Sequence, residues 1–324
     1  MSTNKIAVLL VSRNNYKLME EVWLKHIMPV PVPILNIDIG SVNKDIGKKL
    51  CERHNIDFID LSKGDTNMQN CIAVACDYFS GKGITYVILF HQDSWPHSTK
   101  FWGRFNKVVC SGQLNDFGSI GFNCLTTDSV CNYGPDLKRL NAGQKPIGVV
   151  GRSAKMPRWT SGTAHPGRGN TNVTPLLHPK RFNKPFAIED IAMFAMAINI
   201  DKYLDNIKVD NKFELFFALD DICYQFLKQN IYNVVLPELY IIHRADLKRS
   251  VGMPPTSTSA AKRKTIYAPK WGEHRKVWKR KWGWDWKFTK EFANAAPKYK
   301  GTLIYKFFKH NLNSGPLRTF DIKY

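Results

Sequence analysis

Three short polar clusters each follow an apolar run in the first hundred residues. Ser12-Arg13-Asn14-Asn15 follows IAVLLV, Asp38-Ile39-Gly40-Ser41 follows ILNI, and His91-Gln92-Asp93-Ser94 follows YVILF. The first offers backbone and side-chain donors. The second sets a carboxylate on a tight glycine turn, and the third sets a carboxylate between His and Gln. Further along, Asp220 and Asp221 open a helical pattern, and His243 ends a strand pattern that contains Pro237. A carboxylate at a helix start either caps the first turn or is placed to take a proton from a hydroxyl. Towards the end of the chain, Trp271, Trp278, Trp282, Trp284 and Trp286 lie among Lys270, Arg275, Lys276, Lys279, Arg280, Lys281 and Lys287. Cations of this kind neutralise phosphates, and exposed aromatic rings stack on bases or sugars.

The elements that must position these groups alternate. Lys5 to Val11, Pro33 to Ile39, Asp57 to Leu61 and Thr85 to Phe90 read as short buried strands. Tyr16 to His26, Asp45 to His54 and Asn70 to Phe79 carry apolar residues at helical spacing. Strand, helix and strand in alternation predict a right-handed parallel sheet with helices on both faces. Such a sheet binds its ligand beyond the carboxyl ends of its strands, where the three polar clusters fall. Ser119 to Asn123 and Pro146 to Val150 read as further strands. Gly151 to Thr174 is rich in Gly, Pro, Arg and Thr without periodicity, and Ser161 to Asn172 within it is expected to act as a lid or acceptor loop. Val234 to His243 is a strand, and Pro254 to Ala261 is a linker by composition.

The chain of 324 residues carries 47 Lys and Arg against 27 Asp and Glu, a net charge of +20. The excess is segregated. Arg244 to Tyr324 holds 20 basic and 5 acidic residues, and Lys138 to Pro185 holds 10 basic and none acidic, which leaves the remainder at −5. Segregated charge points to a polyanionic partner rather than to solubility tuning. The apolar runs, such as Ile84 to Phe90, are too short to cross a bilayer. Seven cysteines without a C-x-x-C pair give neither a disulfide framework nor a zinc knuckle, and no secretory leader pattern opens the chain. The expectation is a cytoplasmic protein.

With these pieces placed, the chain resembles inverting, family 2-like glycosyltransferases of the GT-A fold, which use nucleotide-sugar donors. The resemblance runs from about Lys5 to His243. IAVLLVSRNN resembles the family's opening strand and nucleotide-contacting turn, which implies donor contacts from Ser12, Arg13 and Asn14. NIDIGS resembles the V-D-N-G-S motif and implies that Asp38 holds the base or ribose. Asn70 falls where the family often has an Asn before the helix leading to the metal motif. YVILFHQDSWP resembles the strand that ends in D-x-D, implying diphosphate and cation contacts for Gln92 and Asp93. LFFALDDICYQFLKQNIYNVVLPELYIIH preserves the family's order of acid, helix, strand, Pro and His. Two positions depart from the pattern: His91 stands for the first Asp of D-x-D, and Leu219 for the leading acid of the later motif.

The resemblance implies an α/β, GT-A-like (Rossmann-related), mostly parallel sheet flanked by helices. Residues 1–243 would form the transferase domain, with 1–117 its nucleotide-binding half and 118–243 its acceptor and catalytic half. Residues 244–324 would be a basic, Trp-rich extension. A departing nucleoside diphosphate needs a cation beside it, so Mn2+ or Mg2+ is expected on Asp93 with His91 or His243. Asp221, or Asp220 beside it, would be the general base. Acceptor contacts are expected from Arg158, Trp159 and Arg168, and from Lys276, Trp278, Lys279, Arg280 and Trp282. The favoured acceptor is a hydroxylated base in DNA. A cell-envelope or lipid-linked glycan at an anionic membrane surface is the alternative. A non-catalytic nucleic-acid-binding protein on a degenerate transferase scaffold is the second alternative. The tryptophans also admit a plain reading, as the core of a small C-terminal subdomain.

Overall fold

The computed structural model describes residues 4–27, 30–62, 67–126, 151–153, 171–173, 184–191, 195–213, 217–243, 268–284, 291, 294–310 and 316–324. The first half folds as its alternation requires. Strands β1 (Ile6–Ser12), β2 (Ile34–Asp38), β3 (Asp57–Asp60) and β4 (Tyr86–Phe90) lie parallel in the order β3-β2-β1-β4. β2 and β4 are buried along their whole length, as helices on both faces demand.

Beyond β4 the sheet becomes mixed. After the edge strand β5 (Ser94–Pro96) and β6 (Phe117–Thr126), the chain forms β7 (Gly151–Ser153), β8 (Thr171–Val173), β9 (Phe186–Ile188), β10 (Ala195–Asn199) and β11 (Tyr232–His243). β10 runs antiparallel between β4 and β6, and β11 runs parallel to β6. Two successive reversals return β6 and β11 to the direction of β1 and β4. The carboxyl ends of all four therefore share one edge. β5 pairs with the end of β11, and β9 with its start.

The helices are α1 (16–27, with a π turn over Met19–Trp23), α2 (Lys44–Arg53), α3 (Met68–Phe79), α4 (Lys100–Cys110), α5 (Ile200–Asn206), α6 (Ala218–Lys228), α7 (Ala268–Trp282) and α8 (Leu303–Lys309). One apolar layer packs α1 and α4 against the sheet, and the other packs α3 and α6. Gly118 allows this closeness on β6, because a Cβ there would fall 2.5 Å from the Phe226 ring of α6. α3 opens on Asn67, whose side chain accepts from Asn70 N. Among the described residues, no helix is long and apolar enough to cross a membrane.

Two features differ from the sequence expectation. Helix α4 is additional to the expected elements, and Phe101, Trp102, Phe105, Val108 and Val109 line its buried face. Within the stretch read as irregular, β7 and β8 pair antiparallel. The expected strand Pro146 to Val150 and the linker Pro254 to Ala261 lie outside the described residues.

The C-terminal extension is fastened to the body. Trp278, Trp282 and Trp284 form one cluster with Phe213, Phe217, Tyr224 and Tyr299. The last residues return across the sheet: Ala187 N donates to Arg318 O (2.9 Å) and Phe320 N to Pro185 O (2.8 Å). The Phe320 ring lies 4.8 Å from Phe117 and 5.6 Å from Tyr232, centroid to centroid.

Candidate functional site

The polar clusters that end β1, β2 and β4 are knitted together. Ser12 Oγ donates to Asn36 Oδ1 at 2.6 Å, and Gln92 Nε2 donates to Val11 O (2.9 Å) and Ser12 Oγ (3.2 Å). Asp38 is fully buried, and its Oδ1 accepts from Gly40 N and Ser41 N at 2.9 and 2.8 Å. Tyr16 OH donates to Asp38 Oδ2. Burial alone would raise the Asp38 carboxyl, but the Ser41, Tyr16 and backbone hydrogen bonds outweigh it and hold the group below its ordinary range. Burial, then Asp38 itself, push the Tyr16 hydroxyl up, so it stays a donor. Asn14, in the left-handed region at φ 57, donates from its N to Ser41 Oγ and accepts Val42 N. Arg13 and Asn14 are exposed on this turn, and Asn70 is half-buried at the start of α3. Asp38 thus shapes the turn, while the solvent-facing groups are those of Arg13 and Asn14.

Strand register assembles the second group. β11 pairs antiparallel with β5 so that His243 stands opposite Ser94. Two residues far apart in sequence thereby meet: His243 Nε2 lies 3.3 Å from Asp93 Oδ2, and His91 Nδ1 lies 3.9 Å from Asp93 Oδ1. One ligand atom from each of His91, Asp93 and His243 falls within 4.8 Å of the others. Asp93 and His243 are buried and His91 is half-buried. Two imidazoles and a carboxylate around one point fit a divalent cation. Mn2+ accepts such nitrogen ligands more readily than Mg2+, which prefers an oxygen shell.

Asp221 sits on the first turn of α6. Helix α6 runs back against β11, and Gln69, at the start of α3 beyond the carboxyl end of β3, donates to Ala218 O at 2.9 Å. The α6 N-terminus therefore lies over the edge that carries the polar clusters. Its Asp221 carboxylate is held by four donors. Oδ2 accepts from Gln69 Nε2 (3.0 Å), Gln225 Nε2 (2.7 Å) and Lys281 Nζ (2.7 Å), and Oδ1 accepts from Trp282 Nε1 (2.8 Å). A carboxylate has about two lone-pair sites on each oxygen, so three donors crowd Oδ2 while Oδ1 holds one. These four donors give Asp221 an anchoring role between α3, α6 and α7, and Oδ1, with Trp282 its one donor among the described residues, keeps a lone pair for the expected role as base. Burial raises its carboxyl against the opposing pull of Lys281, Gln69 and Gln225. Asp220, the neighbouring acid, is buried beside it, and its charge acts on Tyr224 and Cys223.

The tryptophan expectation changes. Trp278 and Trp282 are 0% and 3% exposed, in ring contact with Tyr224 at 5.2 and 5.7 Å. Their faces are covered by protein, so neither stacks on an acceptor. Lys276, Lys279 and Arg280 of the same helix are exposed. Arg158, Trp159 and Arg168 lie outside the described residues. Sequence reasoning missed Glu189 and Asp190, two buried acids after β9 whose charges act on Tyr224. The signal was an acidic pair at the end of a short apolar run, where a surface loop would ordinarily be read.

A Rossmann-like half extended by an antiparallel strand and a second parallel pair, with its acid beyond the central strand, is the GT-A fold of nucleotide-sugar glycosyltransferases. Among solved structures it is shared by GalNAc-T7, determined with UDP, GalNAc and Mn2+: the TM-score is 0.50 at 11% identity, over 91% of this chain and 55% of that one. The chain thus spans about half the length of that relative. TarS of S. aureus, residues 1–349, aligns with a TM-score of 0.43 at 10% identity, over 91% of this chain and 80% of that one. A second TarS structure gives 0.42 at 11%, over 83% and 43%. No family model and no curated protein matches the chain.

Proposed function

We propose that the protein is a metal-dependent, inverting glycosyltransferase that moves a sugar from a nucleotide-sugar donor to a hydroxyl. The observation that carries this reading is the convergence of His91, Asp93 and His243 at the carboxyl ends of β4 and β11. The shared fold with a structure that holds UDP and Mn2+ supports it. The turns built on Ser12, Asp38 and Gln92 would seat the nucleotide, with Arg13 and Asn14 facing it. A divalent cation on His91, Asp93 and His243 would neutralise charge on the departing diphosphate. Asp221, or Asp220 beside it, would accept the acceptor proton as the new C–O bond forms and the anomeric C–O bond to phosphate breaks. Attack opposite the leaving group inverts the anomeric centre. Asp221 would position α6 through Gln69, Lys281 and Trp282.

The acceptor in this reading is a hydroxylated base in DNA, supported by two basic segments on an otherwise mildly acidic chain. The test is nucleotide release from a panel of nucleotide sugars, with Mn2+ or Mg2+, with and without hydroxymethylated duplex DNA. The expected result is release stimulated by that DNA and lost in Asp93→Ala. Release that ignores DNA but responds to a lipid-linked or polysaccharide acceptor would overturn the acceptor assignment. Absence of release from every donor would overturn the transferase reading.

A further inference from the structure

Helix α7 has two faces with different fates. Its inner face is spent on the protein, where Trp278 and Trp282 are buried and Lys281 reaches Asp221. Its outer face exposes Lys276, Lys279 and Arg280 around a groove of about 510 Å³, lined also by Glu273 and Val277. Residues three and four apart on a helix stand roughly 5–6 Å from one another at Cβ, so these cations form one ridge. Lys279 pairs with Glu291 at 2.9 Å, an exposed contact that a phosphate displaces at little cost.

We propose that this ridge docks the phosphate backbone of duplex DNA beside the crevice in which the acceptor is modified. The inference rests on the DNA-acceptor reading above and adds the surface and the mode of contact. Charge complementarity supplies the attraction. Burial of the tryptophans decides between partners. A helix that lies on a bilayer needs a free apolar face beside its cations. Among the described side chains of α7, Trp278 and Trp282 are already inside the protein core, which leaves a ridge suited to phosphates rather than to acyl chains. Base stacking by Trp278 and Trp282 is excluded by the same burial, so contact is to the backbone and independent of sequence. Position follows from the bond between Lys281 and Asp221, which holds the residue next to Arg280 against the first turn of α6.

The experiment uses the full chain and a triple variant, Lys276→Gln, Lys279→Gln and Arg280→Gln. Binding of a fluorescent DNA duplex is followed by anisotropy across a salt series. In parallel, both proteins are sedimented with phosphatidylserine vesicles. A second triple variant, Lys25→Gln, Lys48→Gln and Lys49→Gln, removes the same charge from exposed positions elsewhere. The expected result is that the ridge variant lowers the slope of log Kd against log salt by about 2–3 and binds duplex roughly tenfold more weakly. The second variant should change the slope by less than one. An unchanged slope in the ridge variant, equal losses in both variants, or vesicle binding at a salt that abolishes DNA binding would overturn the proposal. Donor hydrolysis by the unaltered protein reads the transferase assignment separately, so either can fail alone.

Discussion

Lys281 Nζ lies 2.7 Å from Asp221 Oδ2, joining the C-terminal helix to the first turn of α6. The Asp221 carboxylate is fully buried, and Lys281 keeps 27% of its side chain exposed. Removing the ammonium leaves a buried charge without its cation, whereas removing the acid leaves Lys281 partly in solvent and still beside Asp210 Oδ2 at 3.3 Å. Lys281→Met should therefore destabilise by about 3 kcal/mol, and Asp221→Asn by less. The double variant should cost less than the sum of the two. Urea unfolding of the four proteins checks the order.

The aromatic cluster makes a separate statement. Trp278 is 0% exposed and touches Phe213, Phe217, Tyr224 and Trp284. Trp278→Ala should cost about 3–5 kcal/mol, as a large core truncation does. An exposed stacking residue would cost almost nothing in stability and much in binding. Thermal unfolding with and without DNA distinguishes the two.

Gly47 of α2 packs against the Tyr16 ring: a Cβ at this position would fall 1.9 Å from Tyr16 Cζ. Gly47→Ala must displace the ring and with it the hydrogen bond to Asp38. The expected cost is about 1–3 kcal/mol, with weaker nucleotide binding measured by calorimetry. Tyr16→Phe keeps the ring and loses only the hydroxyl. It should retain more stability than Gly47→Ala.

The Tyr16 to Asp38 bond predicts a pH window. Asp38 is held below its ordinary range, so its contribution is present above the unfolded carboxylate value, about 3.9, and is lost as pH falls through the lower folded value. Tyr16 is raised, so its contribution is complete below about 10 and is lost only at higher pH. The stability difference between the native protein and Tyr16→Phe should be about 1.5–3 kcal/mol at neutral pH and shrink below pH 4. A difference that stays constant down to pH 2 would show that Asp38 does not respond to this bond.

Much of this was legible because it is local. β1 to β4 are continuous apolar runs, and the polar residues that end them fall at the sheet edge by topology alone. The pairing of Asp93 with His243 came from the order of motifs in the family resemblance. Its geometry depends on the register of β5 against β11, which no local pattern encodes. The anchoring of Asp221 was not legible, because its donors Gln69, Lys281 and Trp282 come from segments on both sides in sequence. That set of donors is a tertiary fact. The tryptophans misled for a related reason, since interleaved Lys and Trp read the same whether the rings face solvent or core. Only the four-residue spacing of Trp278 and Trp282 on one helix face hinted at burial.

The most direct measurement is an anomalous-scattering map from crystals grown with Mn2+ and a nucleoside diphosphate. One strong Mn2+ peak is expected, ligated by Asp93 and His243, with His91 beside it and the diphosphate against the turns that end β1 and β4. A peak elsewhere on the protein, or a nucleotide seated away from Ser12 and Gln92, would contradict it.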